Sequence, residues 1–479
     1  MNIATFINAA AAGDPGRAAL VIDDHTFSYG ELAAAVERCA ARLVADDLAG
    51  KRVAVVDVGS LLSIATLLGA ARIGAVAALM NPALTPAEVR GLLDSAECAD
   101  VVIAGEAHAD RVREAGVPKV LTGAELLSDN EIAAPLADGV DDREALVLFT
   151  SGTTGLPKAI GITHGQLTRR ITGVAVPFQR DAKPTVGMMT VPYFHVGGAI
   201  GLLGNLYAGN TYVVLNRFDA GQWLRLVQKY RAASTFLVPT MLQRILDHPD
   251  FADTDLSSLA AIAYGAAAAP TTLVRRAMDA MPNVAFANVF GQTETLGAYT
   301  TLAPEDHRDP RRVGSVGRPL AGVEVRVVDP DTGDDVEPGT VGELWVKSNQ
   351  NVTEDWLRTG DLARQDADGY IYPSGRLKDT INRGGEKFGP IEVEEALRSH
   401  PAIVDVAVAG IADDEMGQRV GAAVVASTPV TLEQLREHCR EHIAYFKLPE
   451  RLALVEQIPY NDTGKVNRRR LAALIADKA

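Results

Sequence analysis

Thr150-Ser-Gly-Thr-Thr-Gly-Leu-Pro-Lys158 decides how the rest of this chain is read. It follows Ala145-Leu-Val-Leu-Phe149, a short apolar run that predicts a buried strand. Gly152 and Gly155 free backbone N–H groups to curl around an anion. The hydroxyls of Thr150, Ser151, Thr153 and Thr154 and the Lys158 ammonium complete a cradle suited to phosphate oxygens. The loop is not of the Gly-Lys-Ser/Thr type, because Leu156 and Pro157 separate Gly155 from Lys158 and Ala159 follows. The competing reading is a polar surface turn, and the remainder of the chain has to decide between them.

At 479 residues the chain exceeds one ordinary core, so two or more domains are expected. Apolar residues make up 47% and charged residues 22%, as in an ordered globular protein. A net charge of −15 argues against a nucleic-acid surface and suits a protein that meets anionic substrates only in locally basic pockets. Cys39, Cys98 and Cys439 are far apart, each in a helix-like context, with no metal-ligand spacing, which favours a reducing compartment. The first residues carry no basic-then-apolar leader, and Val191 to Leu203 is too short and Gly-rich to span a bilayer. A soluble, cytoplasmic protein is expected.

Strand and helix signals alternate from the start of the readable pattern. Lys51–Asp57, Ala75–Met80 and Val101–Ala104 read as strands and Leu61–Arg72 as a helix. Thr85-Pro-Ala-Glu88 is a capping box with proline at the first helical position. The alternation continues through strand 185–191, helix 196–207, strand 211–215, helix 220–230 and strand 234–238, and strand 283–290 ends in Phe290-Gly-Gln-Thr-Glu294. This is the grammar of a doubly wound, mostly parallel sheet, in which ligands bind beyond the carboxyl ends of strands. Val323–Val328 and Val341–Val346 instead alternate with period two between Pro/Gly turns, predicting a small antiparallel β unit. The last hundred residues read as helix, strand, strand, helix, strand, a separate α+β lobe.

Four clusters carry chemistry: the 150–158 loop; Asn288 to Glu294; Asp361 with Arg376, Lys378 and Asp379; and Gly464-Lys465 in a polar loop. Phe290 can stack on a base, Gly291 lets a ligand approach the backbone, and Glu294 offers Mg²⁺ a hard oxygen ligand. Asp361 can accept from two ribose hydroxyls and Arg376 can clamp a phosphate or ribose oxygen.

Taken in order, these residues resemble the adenylate-forming superfamily of acyl-CoA synthetases, aryl-acid and peptide-synthetase adenylation domains and luciferases, end to end. The resemblance implies an α/β fold: a large N-terminal domain of doubly wound sheets plus a small antiparallel β unit (residues 1–376), a hinge at 377–379 on Lys378, and a mobile C-terminal α+β lobe (379–479). It implies ATP and Mg²⁺ as requirements, CoA as co-substrate and a small carboxylic acid as substrate. Thr150–Lys158 would hold the leaving β,γ-phosphates. Asn288, Phe290 and Gly291 would hold adenine, Thr293 and Glu294 would act in catalysis with Glu294 on the metal, and Asp361 and Arg376 would hold the ribose. Lys465 would bridge the acyl carboxylate and the α-phosphate. Tyr193-Phe-His-Val-Gly-Gly198 resembles the acyl-pocket motif, with His195 as its gate. Tyr193, Ala199, Gly265, Ala266, Leu296, Gly297 and Ala298 would line the pocket. Gly384, Gly385, Glu386 and Lys387 would face the thiol once the lobe rotates, so that one site performs two steps.

Bland readings stand beside these roles. His195 is also explained as a packed core imidazole, and Lys387 as a solvated loop charge. His164 reads as structural, and Arg468-Arg469-Arg470 as a salt-bridged helix start or a meeting point for CoA. Three departures from the pattern stand out: the segment between Trp345 and Trp356 is cut short beside the expected ribose site, the chain is short overall, and the pocket wall is rich in small residues. The 193–198 run has no acidic residue for an ammonium, which disfavours α-amino acids. The expected activity is acid–CoA ligation. The alternatives are loading of a phosphopantetheinyl carrier protein, adenylation diverted to another acceptor or an oxyacid, and a silent scaffold of the same fold. No nucleic acid or membrane insertion is expected, and oligomerisation is left open.

Overall fold

The computed structural model describes residues 1–128, 134–150, 157–460 and 465–478. Two large sheets dominate its first 320 residues or so. One has six strands in the order Lys119–Leu121, Val101–Ala104, Arg52–Val56, Val76–Met80, Glu144–Thr150 and Lys158–Thr163. The other has nine; its centre, from Ala285–Gln292 to Thr211–Val214, is parallel, and antiparallel strands flank it near both edges.

Between the sheets run helices that are apolar on all sides, and such helices must be enclosed. Leu61–Arg72 is buried along nearly its whole length. With Val196–Tyr207 it shares one core with Val53, Val55 and Ala77 of the first sheet and Leu20, Tyr212 and Val214 of the second. The outer faces are covered by amphipathic helices: Pro86–Ser95 through Val89, Leu92 and Leu93, and Ala220–Tyr230 through Trp223, Leu224 and Val227. Capping boxes at Ser28, Ser60 and Thr85 set where three helices begin.

The structure adds elements that the sequence left unread and corrects the placing of Cys98. The strand Glu144–Thr150 leads into a hairpin, since Lys158–Thr163 returns antiparallel beside it, with Thr150 opposite Lys158. The decisive loop is therefore closed by a ladder at both ends, and no helix begins where it ends. The antiparallel unit is larger than read, with Leu357–Gln365 and Ile371–Arg376 completing a four-stranded sheet. The strand Ala18–Ile22, which carried no reading, crosses over to pair with Thr211–Val214 of the second sheet. Cys98 lies beyond the end of helix Pro86–Ser95 and the turn that follows it, outside any helix.

After Arg376 comes a short 3-10 helix, Leu377–Asp379, and then a five-stranded sheet with its own core of Val393, Leu397, Val406, Val408, Val420 and Leu435. Lys378 is the exposed middle residue of that connector. Asp379 pairs with Arg468 at 3.5 Å, and Arg468 also holds the buried Glu394 at 2.8 Å, so the start of the last helix is salt-bridged as read.

His164 is wholly buried, and its Nδ1 accepts from the Ile3 N–H at 3.1 Å, pinning the first residues to helix His164–Thr172. Burial, with the terminal amine nearby, holds its pKa down at about 4. The unfolded imidazole titrates near 6.5. The folded state therefore binds fewer protons between those values, and stability falls as pH drops from about 6.5 towards 4 and levels off below. The loss should not exceed about 3 kcal/mol, and His164→Gln should flatten the curve in urea unfolding measured across that window. A second prediction concerns Gly291, where an added Cβ would stand 1.9 Å from the Gly297 carbonyl oxygen. Gly291→Ala should cost roughly 1–3 kcal/mol or more. Gly197→Ala, with nothing within 4 Å, should be neutral or stabilising in the same assay.

Candidate active site

The antiparallel unit sets the first half of the site. Asp361 and Arg376 face each other across the Leu357–Gln365 and Ile371–Arg376 strands, and their side chains pair at 2.8 Å. Asp361 is 5% exposed. Burial raises its pKa, against the opposing pull of Arg376 and Lys465. Its backbone N–H donates to the Thr359 hydroxyl, which itself donates to the Leu344 carbonyl, so the strand ladder fixes the carboxylate's position. Beside it lies Tyr299, fully buried, whose phenol pKa is raised by burial and by Asp361. Its ring meets Phe290 edge-on at 5.3 Å.

The second half grows from the strand Ala285–Gln292. It ends in the 3-10 turn Thr293–Thr295, and Leu296 (φ 52°) and Gly297 (φ 94°) then reverse the chain into the antiparallel strand Gly297–Leu302. The Thr295 hydroxyl accepts from the Gln292 N–H and donates to the Gly297 carbonyl, closing the turn. This turn presents Thr293 and Glu294, both partly exposed. The shortened segment packs here: Val352 donates to the Glu294 carbonyl at 3.0 Å, and Gln166 donates to the Asn351 carbonyl at 2.6 Å. Residues 349–352 thus pack against the turn and the helix His164–Thr172.

Lys465 comes from the other lobe. The charges acting on it are Arg376, Asp361, Glu294 and Lys378, so it meets both halves of the site. Much of its side chain is exposed, yet protein crowds the ammonium. That desolvation, with Arg376, lowers its pKa against the upward pull of Asp361 and Glu294. Thr150 and Lys158 face each other as cross-strand partners at the two ends of the intervening loop. Ser151, Gly152, Thr153, Thr154, Gly155 and Gly464 lie outside the described residues.

Other expected residues divide. Ala266, Gly297 and Ala298 offer surface, whereas Tyr193, Ala199, Gly265 and Leu296 are buried in protein. Tyr193 sits in the main core beside Asp57 and Ser63 rather than on an open wall. Gly265 and Gly291 are small because neighbouring strands demand it: a Cβ on Gly265 would stand 2.1 Å from the Val289 carbonyl oxygen. His195 is the N-cap of helix Val196–Tyr207, its ring tilted against Phe194. Asn288 lies beside the Tyr264 phenol, which bonds His307. Gly384 (φ 60°) and Gly385 (φ 96°) form the turn of a hairpin with Glu386 and Lys387 exposed. Lys387 acts on Asp329, away from the cluster around Lys465. Tyr299 was not anticipated; the only signal available was its place in the strand after Glu294.

The residues fit a magnesium ion bound with a nucleotide. Glu294 is an oxygen donor whose carboxylate makes no hydrogen bond or ion pair among the described residues, and no group of three or more His, Cys, Asp or Glu side chains there could hold a metal. That matches an ion held by one carboxylate and substrate phosphates, where it would spread phosphate charge.

The whole chain is similar to known proteins. Residues 7–354 match the model of the AMP-binding enzyme family, and 392–465 match that of the AMP-binding enzyme C-terminal domain. The chain is 32% identical to an indoleacetate–CoA ligase of Aromatoleum aromaticum, covering 100% of this chain and 99% of that protein. It superposes on the o-succinylbenzoate CoA synthetase of Bacillus subtilis bound to its acyl-adenylate with a TM-score of 0.86 and 27% identity, over 98% of this chain and 97% of the other. That synthetase has also been solved with ATP and magnesium. An amide bond synthetase from Marinactinospora thermotolerans gives a TM-score of 0.86 at 25% identity, over 99% of both chains. The chain thus belongs to the AMP-binding enzyme family.

Proposed function

We propose that this protein is an ATP-dependent carboxylic acid–CoA ligase. It joins an acid to ATP, giving an acyl-AMP and pyrophosphate, and then transfers the acyl group to the CoA thiol, releasing AMP. The observation that carries this reading is the convergence of Lys465 with Asp361, Arg376 and Glu294 across two lobes.

The first step brings a carboxylate oxygen onto the α-phosphorus, so two anions must approach. In this reading the Lys465 ammonium lowers that repulsion, and Asp361 and Arg376 hold the ribose. Thr150 to Lys158 takes the departing pyrophosphate. For the second step the lysine has to withdraw, and the exposed hairpin 384–387 is available to the thiol if the lobe turns about Lys378. No helix among the described residues is long and apolar enough to cross a membrane. Cytoplasmic placement belongs to this reading, supported by three free cysteines.

A pyrophosphate-release screen over a panel of carboxylic acids, with and without CoA, tests the proposal. Release that leads to a CoA thioester supports it. Release with no thioester moves the acceptor to a carrier protein or an amine, the latter favoured by the likeness to the amide bond synthetase. Lys465→Ala should lower acyl-AMP formation by about 100-fold or more, yet leave thioester formation from a premade adenylate largely intact. Equal loss in both half-reactions would count against lobe rotation. Asp361→Asn should raise the KM for ATP by at least about tenfold, measured by pyrophosphate exchange; an unchanged KM would remove Asp361 from the ribose.

A further inference from the structure

Arg170 holds a charge that no side chain among the described residues balances. It lies on helix His164–Thr172 and is 8% exposed. Its neighbour Arg169 points outward and donates to the Asn349 carbonyl at 3.0 Å. Among the described residues the Arg170 side chain makes no hydrogen bond and no ion pair, and its buried Nε lacks an acceptor. Burial alone accounts for its lowered pKa. A guanidinium cannot shed its charge at neutral pH, so burying one without a partner is costly, and buried charges in native proteins are paired.

The side chain is aimed at the acyl side of the site. Its Nη2 stands 3.8 Å from the position a Cβ on Gly297 would take. Gly297 thus brings no side chain against the guanidinium, in the turn that also carries Glu294. The helix bearing Arg170 packs on Val196–Tyr207, the helix that follows His195. Arg170 is not among the charges acting on Lys465, so it forms a second cationic centre apart from the one that serves the α-phosphate.

We propose that Arg170 binds a second carboxylate, at the end of the acid remote from the group that is activated, so that the substrates are dicarboxylic acids. This rests on the acid-activating reading above. A planar guanidinium takes a carboxylate through two parallel hydrogen bonds, and the ligand would supply the counter-charge the fold omits.

The test uses acid pairs that differ by a distal carboxylate or a methyl group: adipate and hexanoate, suberate and octanoate, terephthalate and 4-methylbenzoate. Pyrophosphate release by the intact enzyme should favour the diacid in at least one pair by about 30-fold or more in kcat/KM. In Arg170→Gln that preference should collapse, with the loss falling on KM more than on kcat, and Arg170→Lys should restore part of it. As a check independent of turnover, the preferred diacid should raise the Tm of the wild type and not that of Arg170→Gln. Arg170→Met should melt no lower than the wild type, because it removes an unpaired buried charge. Preference for the methyl partner in every pair, or an equal loss for both partners in Arg170→Gln, would overturn the assignment while leaving acid activation standing. Failure to release pyrophosphate with any acid would overturn both.

Discussion

One ammonium, carried on the smaller lobe, meets two carboxylates and a guanidinium of the larger one. The position of Lys465 against Asp361, Glu294 and Arg376 is the constraint on which the rest of the structure depends. It sits in a crowded, desolvated setting, where Coulomb terms are larger than in water. Each of its neighbours is held by backbone. Asp361 and Arg376 are opposed by a β ladder, and Glu294 stands on a turn closed by Thr295 and braced by Val352. Such a cluster needs rigid support, because small displacements of charged groups change their interaction steeply.

The two sheets supply that support. They share a core through the enclosed helices Leu61–Arg72 and Val196–Tyr207, so the strand ends that present the site cannot move independently. The close approaches at Gly265 and Gly291 tighten it further. The smaller lobe has its own core and is joined through three residues, Leu377–Asp379, and by the ion pair of Asp379 with Arg468. In the proposed reaction the division of labour follows: the larger body would hold nucleotide and acid, and a separately packed body would bring the lysine.

Much of this was legible before any coordinates. Helices 61–72, 196–207 and 220–230 match their reading; Ser60 and Asp219 cap two of them, and Ala220–Tyr230 adds a clear apolar periodicity. The ends of the functional clusters were visible because Gly, Asp, Glu and Lys at strand ends are chemically marked. Pairing was not visible. An apolar run predicts a strand without saying whether its neighbour runs parallel, which is why the hairpin at Thr150 and Lys158 was missed. Nor does a small residue say why it is small: Gly265 looked like room for a ligand and is room for a neighbouring carbonyl. Arg170 hid in a tandem with Arg169 on an amphipathic helix, where a solvated face is the natural reading and only packing separates the two.

The ladder between Glu144–Thr150 and Lys158–Thr163 bears on how the proposed reaction would end. Where an anion sits on the first turn of a helix, the aligned peptide dipoles hold it throughout the catalytic cycle. Here Lys158 begins a strand, and strands contribute almost no net dipole. If residues 150–158 hold pyrophosphate as proposed, no helix dipole backs the exposed Lys158 ammonium, and salt and water weaken such a contact readily. A leaving group held in this way would depart easily, and its departure would draw forward an adenylation that is otherwise readily reversed. The forward commitment of the proposed reaction would then be sensitive to ionic strength and to free pyrophosphate.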